Sequence, residues 1–511
     1  MAIASAARAS DDFWNAGPFF DQFPLTLSEG TRTEAVGPFF YCEDRDLQNV
    51  WAVPPVMSRA GDRDIDWREF DFFYPVATYD RFGPEYRFQL LQLLSFSGGA
   101  TQSGDTKDRF TLFPIYFQQR STDENLNYTA LFPIYGKLKN RLFRDEIDFV
   151  LWPLYVKTVR HSMGGSVLTD ELLSLEDDQR REKHTGELTT YNFVAPIFHL
   201  RYGDGLRGWQ FWPLAGHEHK EVTVRTNSWG DAETVPGHDK TFILWPMYWN
   251  QTRDIGTTNT AHFNALIPFY AALRSPARDS TTYLWPFGLS LTEDRAREFH
   301  EVGFLWPVFA FARGEGKTTT RVWPLFGRSH NAVLERNFYL WPVYRYSRIH
   351  SDPLDRRRTQ ILFFLYSDVR QMNTATEKES HRVDFWPLFT RSKDFSGNSR
   401  LQVFSLLEPI FPNNKSIERN YSQLWSVWRS ERNAKTHASS QSLLWNLYRH
   451  QVMPEGRRKT SLLFGLFQHE RTEAGSGLRL LFIPFKHVPE ADSADVDSAV
   501  QLKHSEAGRQ P

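Results

Sequence analysis

The sequence is nearly devoid of cysteine, since Cys42 is the single one among 511 residues. One thiol can build neither an intrachain disulfide framework nor a thiolate metal cage. The chain also lacks net charge, because 60 basic side chains balance 61 acidic ones. No global field therefore points to nucleic acid or to an anionic surface, and we predict no nucleic-acid partner and no cofactor.

Long hydrophobic runs are absent as well. Each apolar stretch is short and flanked by charge, whereas a membrane-spanning helix needs about 18 consecutive apolar residues. Spanning helices are therefore excluded. What the chain has in abundance is aromatic residues, which make up 15% of it and lie in repeated clusters. That concentration indicates packing.

The clusters share one pattern, seen in Leu340-Trp341-Pro342-Val343-Tyr344, in which a proline follows an aromatic residue and precedes an apolar pair. The proline slot recurs about every 20 residues over most of the chain. Further copies are Leu112–Tyr116, Leu131–Tyr135, Leu151–Tyr155, Leu244–Tyr248, Leu305–Phe309 and Phe385–Phe389. Late copies place Ser426, Asn446 or Gly465 in the slot. Such a period predicts a repeat architecture.

Each cluster is interpreted as one β-strand of about ten residues, because aromatic and branched residues dominate it and turn residues separate the clusters. Proline within every cluster argues against helix. We predict an all-β repeat protein of about twenty antiparallel strands in a meander, closed or rolled in a barrel-like manner, with a propeller as the alternative. A parallel β-helix is disfavoured because linkers such as Arg429 to Ser440 lack inward-facing apolar residues.

Composition divides the chain into four segments. Residues 1–10 are either the remnant of a signal peptide or a disordered Ala/Ser segment. Residues 11–109 contain irregular β units, which continue into the regular array of residues 110–489. Residues 490–511 are polar and expected to be disordered. The charged insertion from Thr169 to His184 is predicted to form a short surface helix.

Few residues suggest chemistry. His217 and His219 lie two apart, on one face of an extended segment, and are the candidate metal ligands, although no third ligand can be named. Asp62-Arg63-Asp64-Ile65-Asp66 has the alternating acids of a calcium loop but lacks its glycine, so a solvated turn is favoured. The glycines between Gly203 and Gly208 predict a hairpin loop and not a phosphate site. Cys42 has no context that would make it a nucleophile.

Two further features concern charged side chains. Glu408 lies inside an apolar cluster, and we expect it to meet an arginine or to lie at a strand edge. Arginines often follow the clusters, and could form a basic aromatic rim for sugar phosphates or lipid head groups; capping of aromatic faces and acidic turns is favoured. They are Arg328, Arg345, Arg391, Arg429 and Arg449.

The repeated Leu-Trp-Pro-Leu-Tyr/Phe unit resembles that of a loose group of bacterial envelope proteins, over about residues 110 to 485. The resemblance implies export to the periplasm or outer membrane and brings no site residues. We predict a non-enzymatic exported repeat protein that acts as a structural or interaction module of the envelope. The alternatives are a carbohydrate-binding or glycoside-hydrolysing β protein and an outer-membrane β-barrel.

Overall fold

The computed structural model describes residues 16–486 except residues 46, 101–103, 105, 162–186, 227–231, 455, 473–474 and 482. These residues form two compact units. Unit 1 combines Met1–Asp64 with Lys378–Pro511, and unit 2 is Ile65–Glu377. The predicted insertion Thr169–His184, the N-terminal segment 1–10 and the tail 490–511 lie outside the described residues. The segment boundaries predicted at residues 10, 109 and 489 stay predictions.

Nearly all described secondary structure is β. The strands of the N-terminal part of unit 1 are β1 (Asp21–Pro24), β2 (Thr31–Ala35), β3 (Phe40–Asp44), β4 (Gln48–Val53) and β5 (Met57–Asp62). Those of unit 2 are β6 (Trp67–Phe72), β7 (Ala77–Phe82), β8 (Glu85–Leu90), β9 (Leu94–Gly98), β10 (Lys107–Leu112), β11 (Tyr116–Ser121), β12 (Tyr128–Leu131), β13 (Tyr135–Arg141), β14 (Arg144–Val150), β15 (Tyr155–His161), β16 (Glu187–Phe193), β17 (Phe198–Gly203), β18 (Leu206–Phe211), β19 (Ala215–Lys220), β20 (Thr223–Thr226), β21 (Ala232–Val235), β22 (Gly237–Ile243), β23 (Tyr248–Ile255), β24 (Ala261–Leu266), β25 (Tyr270–Arg274), β26 (Arg278–Tyr283), β27 (Leu289–Asp294), β28 (Phe299–Phe304), β29 (Phe309–Gly314), β30 (Thr318–Val322), β31 (Phe326–His330), β32 (Leu334–Tyr339), β33 (Tyr344–Ser351), β34 (Leu354–Ile361) and β35 (Tyr366–Asn373).

The C-terminal part of unit 1 adds β36 (Lys378–Phe385), β37 (Phe389–Lys393), β38 (Ser399–Val403), β39 (Trp428–Arg432), β40 (Ser439–Leu443), β41 (Tyr448–Val452), β42 (Arg458–Leu462), β43 (Phe467–Thr472), β44 (Gly475–Leu480) and β45 (Ile483–Lys486). Three short 3-10 helices are Gly17–Phe19, Gly37–Phe39 and Glu124–Leu126. Between β38 and β39 runs a helical segment made of an α turn Lys415–Ile417, a π-helix Glu418–Ser422 and a second α turn Gln423–Trp425. No helix in the described part of the chain is long and apolar enough to cross a membrane.

Unit 2 is an antiparallel meander in which each strand pairs with its neighbours in the chain. Pairing runs from β6 to β35, and the hairpin β20–β21 stands apart so that β19 pairs with β22. Among the described residues no pairing joins β6 to β35, so the sheet of this unit is not closed. The prediction of an antiparallel meander is confirmed, whereas that of closure is wrong. The alternative prediction of a propeller is also wrong. A propeller divides into separate four-stranded blades, whereas the main sheet of the described residues is continuous from strand to strand.

The strand count differs from the prediction for a reason that lies in the repeat. The described chain has 45 strands and not about twenty, because each period contains two strands. Leu340 to Val343 form the turn that joins β32 to β33, and Tyr339 pairs with Tyr344. The proline clusters therefore mark hairpin turns, and the strands lie on either side of them.

The two faces of the unit 2 sheet differ in packing. On the packed face, Ala130, Leu138, Phe149 and Val156 form a buried cluster with Tyr128. Small residues on this face lie under rings of the neighbouring strand. A Cβ added to Gly327 would lie 2.1 Å from the Phe338 ring, one at Gly216 would lie 2.4 Å from Phe242, and one at Gly136 would lie 2.8 Å from Phe149. Cross-strand pairs of this kind fix strand register.

In unit 1 the strands β1–β5 pack on the C-terminal strands through polar contacts. Arg449 donates two hydrogen bonds to Asp21, at 2.6 and 3.2 Å, and its guanidinium lies 3.8 Å from the centre of the Phe23 ring. Asn446 Nδ2 donates to Glu34 at 2.5 Å, and the Tyr41 hydroxyl donates to the Arg419 carbonyl. Burial raises the pKa of Tyr41 to about 12.

Candidate functional site

The most extensive feature of unit 2 is the edge that carries the proline turns. In the turn Leu340 to Val343, Leu340 has a φ of 45° and the Trp341-Pro342 bond is cis. The amide of Val343 donates to the carbonyl of Leu340 at 2.7 Å and closes the turn. Leu340 is 59% exposed and Trp341 is 40% exposed, so the side chains at the tip face outward.

Each such turn is also bonded to the preceding turn on the same edge. The amides of Leu340 and Trp341 donate to the carbonyls of Leu325 and Pro324, at 2.5 and 2.7 Å. Pro342 has no N–H. Every backbone N–H of the four-residue turn is thus bonded or absent. The same three bonds occur at residues 151–154, 194–197, 244–247 and 305–308.

The strand residues that precede and follow these turns form a second element of the edge. Cross-strand partners share a face, so the register places all of these residues in one row, on the face opposite the buried cluster. We call them the flanking row. In chain order they are Phe72, Ala77, Leu90, Leu94, Leu112, Tyr116, Leu131, Tyr135, Val150, Tyr155, Phe193, Phe198, Phe211, Ala215, Ile243, Tyr248, Leu266, Tyr270, Tyr283, Leu289, Phe304, Phe309, Val322, Phe326, Tyr339, Tyr344, Ile361 and Tyr366.

The flanking row contains no charged side chain and no gap. Its rings contact one another from strand to strand: Tyr155, Phe193, Phe198 and Phe211 have successive centroid separations of 5.7, 5.9 and 6.4 Å. At roughly 4.8 Å per strand, the row extends about 130 Å along the 28 strands of the main sheet of unit 2.

We define the turn border as the flanking row together with the fourteen turns between its members. Exposed tryptophans occupy six of these turns, at Trp152, Trp245, Trp285, Trp306, Trp323 and Trp341. The turns on the opposite edge are mostly polar, as at Asp204-Gly205 and Arg295 to Glu298. Apolar side chains exposed there include Leu142 and Phe143, at 76% and 101%, and Val333, at 52%. The edge of unit 2 that carries the turn border is thus predominantly apolar from Phe72 to Tyr366, with Gln92 as a polar residue in one turn.

The candidate metal ligands lie on β19, away from any ligand cluster. His217 Nδ1 is 2.9 Å from the Thr241 hydroxyl, and His219 Nδ1 is 3.1 Å from Asp239 Oδ2. Across the described ranges, no three His, Cys, Asp or Glu side chains come together in a metal-binding arrangement. The two histidines do share one face of the strand, as predicted.

The residue between them belongs to an ionic cluster on the packed face. Glu218 is 2.8 Å from Arg201 and 2.7 Å from His238 Nε2. Burial opposes ionisation of Glu218, but the bonds to His238 and Arg201 lower the pKa of its carboxyl to about 2. Burial, helped by Arg201, lowers the pKa of His199 to about 4. Glu218 joins Arg201 and His238 across β17, β19 and β22, and these groups form a structural cluster.

Glu408 differs from its predicted surroundings. It lies in the irregular stretch before the helical segment, where its carboxylate is buried and accepts hydrogen bonds from the Ser422 hydroxyl, Gln402 Nε2, the Ser405 hydroxyl, the Trp425 indole and an amide. Burial opposes its ionisation, but these donors, Ser422 foremost, lower the pKa of the carboxyl. Arg382 Nη2 donates to the backbone carbonyl of Glu408 at 2.8 Å, so Glu408 does meet an arginine, but among the described residues no arginine bonds its carboxylate, and Glu408 lies outside any strand. Neutral donors satisfy the charge instead.

The other candidates lie in structural positions. Gly203 to Gly208 form the predicted hairpin, with Asp204 and Gly205 in its turn. Asp62 accepts hydrogen bonds from Gln48 and from the Asp64 amide. Burial raises the pKa of Cys42, which keeps its thiol protonated. Arg449 is buried against Asp21 as an aromatic cap, whereas Arg328, Arg345 and Arg391 are exposed.

No protein-family model matches the chain, and no curated protein is significantly similar to it.

Proposed function

We propose that the chain is a non-enzymatic interaction module of a bacterial cell envelope that binds a lipid surface through the turn border of unit 2. The observation that carries the proposal is the apolar composition of that border, in which Gln92 is the one polar amide side chain among the turns. Monomeric proteins rarely leave apolar patches of more than a few hundred Å² uncovered, and larger ones mark interaction sites. Export to the periplasm or outer membrane is part of the proposal and rests on the resemblance of the repeated unit to that of bacterial envelope proteins.

The chemistry of the border favours lipid as the occupant. Backbone groups that enter an apolar phase must already be hydrogen-bonded, because each unsatisfied group costs several kcal/mol there. In the four-residue turns the amides of residues such as Leu244, Trp245 and Met247 are bonded within the border, and Pro246 has none. Such a turn can lose water without losing an N–H partner.

The side chains agree with that environment. Tryptophan and tyrosine combine an apolar ring with a polar group and concentrate at the boundary between hydrocarbon and head groups. The border has exposed tryptophans at turn tips, such as Trp306 at 60% exposure, and tyrosines such as Tyr339 at 56% in the flanking row. Leucines beside the tryptophans provide purely apolar side chains for contact with hydrocarbon.

The extent of the border argues against a single protein partner. A standard protein interface covers about 800 Å² on each side and concentrates its energy in a central group of residues. The flanking row repeats the same residue types from Phe72 to Tyr366 without such a centre. A lipid surface has no fixed length and can match all of it.

The test is flotation of the purified chain with phosphatidylcholine vesicles at high salt, which removes charge-driven binding. We expect the protein to float with the vesicles and its tryptophan emission to shift to shorter wavelength. Sedimentation velocity without lipid tests the alternative that a second copy of the chain covers the turn border. Failure to float at millimolar lipid, or a dimer that buries the border and does not bind vesicles, would refute the proposal.

A further inference from the structure

A cavity of unit 2 lies at the end of strands β6 to β10 that is remote from the proline turns. Its volume is about 320 Å³ and its walls come from β6 to β10, near the edge opposite the turn border. Small-molecule sites occupy roughly 300 to 1,000 Å³, so the cavity suits a ligand of one or two sugar rings. The turn border is not involved, and the inference does not rest on the proposed function.

The walls carry an excess of positive charge. The lining includes four cations, Arg81, Arg87, Lys107 and Arg109, and two acids, Asp80 and Glu85. The register places Arg87, Lys107 and Arg109 on one face together with both acids, with Asp80 as the cross-strand partner of Arg87, and places Arg81 on the other face. Arg81 is engaged elsewhere, because its Nε donates to the Gly83 carbonyl at 2.8 Å and its guanidinium lies 3.6 Å from Asp66. Within the described residues Arg87 makes neither a hydrogen bond nor an ion pair. Arg109 uses only its Nε, which donates to Gln119 at 2.6 Å.

Strand register aligns the free donors. Arg87 pairs with Ser97, and Ser97 pairs with Arg109, so two guanidiniums flank a hydroxyl across three neighbouring strands. Lys107 lies two residues before Arg109 on the same face. Burial lowers the pKa of Lys107, and the charge of Arg109 lowers it further. An anion placed over Ser97 would relieve this repulsion, and paired arginines suit a carboxylate or a phosphate.

The remaining wall is aromatic. Trp67 and Phe82 are cross-strand partners and lie on the same face as Arg87 and Ser97. Phe82 is 58% exposed, so its ring is open to a ligand. A cation group beside aromatic faces fits a molecule that has both an anionic substituent and an apolar ring face.

We infer that this cavity binds an acidic saccharide, a sugar whose carboxylate or phosphate lies between Arg87 and Arg109 and whose ring packs on Phe82 and Trp67. Inorganic phosphate shares the anionic chemistry but has no ring. Neutral sugars share the ring but have no anionic group. The two halves of the site can therefore be tested separately.

The experiment is isothermal titration of the full chain with glucuronate, glucose 6-phosphate, glucose and inorganic phosphate at low salt. We expect the two acidic sugars to bind, phosphate to bind about tenfold more weakly than glucose 6-phosphate, and glucose to give no signal. The Arg87→Gln variant should lose about tenfold in affinity, since a charge-assisted hydrogen bond contributes about that factor.

Controls separate the site from general charge and from folding. Arg328→Gln removes an exposed arginine on a distant strand and should bind as the parent protein does. Unchanged urea unfolding of Arg87→Gln would establish that the fold is intact. Absence of binding by both acidic sugars, equal affinity for phosphate and glucose 6-phosphate, or unaltered affinity in Arg87→Gln would overturn the inference.

Discussion

Replacing leucines at the tips of the turn border should weaken lipid binding without weakening the fold. Leu244, Leu305 and Leu340 are 51%, 37% and 59% exposed and have φ values of 48°, 50° and 45°. Asparagine adopts positive φ more readily than leucine does. Transfer of a fully exposed leucine from water to an apolar phase is worth about 1.5 to 3 kcal/mol, so each half-exposed one contributes about 1 kcal/mol. Three Leu→Asn substitutions should lower the vesicle partition coefficient about a hundredfold.

The assay is co-sedimentation with phosphatidylcholine vesicles over a range of lipid concentrations, with urea unfolding of the same samples. The chain supplies a matched control in Leu142→Asn with Phe143→Asn. These residues are more exposed, at 76% and 101%, and have φ values of 52° and 59°, but they lie on the opposite edge. The control should partition as the parent protein does. Equal losses in both variants, or parent-like binding by the triple variant, would refute the reasoning.

Two further predictions concern stability. Glu408→Ala should lower the free energy of unfolding, measured in urea, by about 2 to 4 kcal/mol, because it leaves several buried donors without an acceptor. Glu408→Gln keeps one acceptor and should lower the free energy of unfolding by less. Equal losses of stability in the two variants would contradict the explanation. The unfolded protein takes up protons on His199 and Glu218 more readily than the folded one, since both folded pKa values are depressed. Thermal stability should therefore fall as the pH drops from 6.5 towards 4 through His199 and from 4.5 towards 2 through Glu218. Glu218→Gln should flatten the lower window in calorimetry, and an equally steep decline in that variant would contradict the assignment.

The sequence was sufficient to predict the repeat and the antiparallel meander. The spacing between prolines was right, but it is the distance between turns on one edge and contains two strands. The residue types found in the proline slot indicate that each cluster is a turn and not the middle of a strand. Pro342, Asn446 and Gly465 are turn residues, and Asn446 and Gly465 have φ values of 69° and 91°.

Other features could not be predicted because they depend on register. Arg87 and Arg109 are 22 positions apart in the sequence and meet only because β8, β9 and β10 pair in one particular alignment. The surroundings of Glu408 likewise depend on the helical segment, where Ser422 and Trp425 occupy a stretch that the repeat pattern assigned to a strand. Local patterns carry no information about either alignment.

The backbone of unit 2 gives an independent argument that the apolar residues of the turn border serve more than the fold. Positive φ is needed on both edges, and glycine, asparagine and aspartate adopt it at least cost. The polar edge mostly uses such residues, as at Asp204, Gly205 and Asn140. On the turn border the residues with positive φ are all large and apolar, namely Phe73, Leu91, Leu151, Val194, Leu244, Leu284, Leu305, Leu340, Leu362 and Phe363, apart from Gln92. Each leucine or valine there costs about 1 kcal/mol relative to glycine. A sequence under pressure from folding alone would choose glycine or asparagine at these turns, so the retained apolar side chains indicate a contact outside the fold.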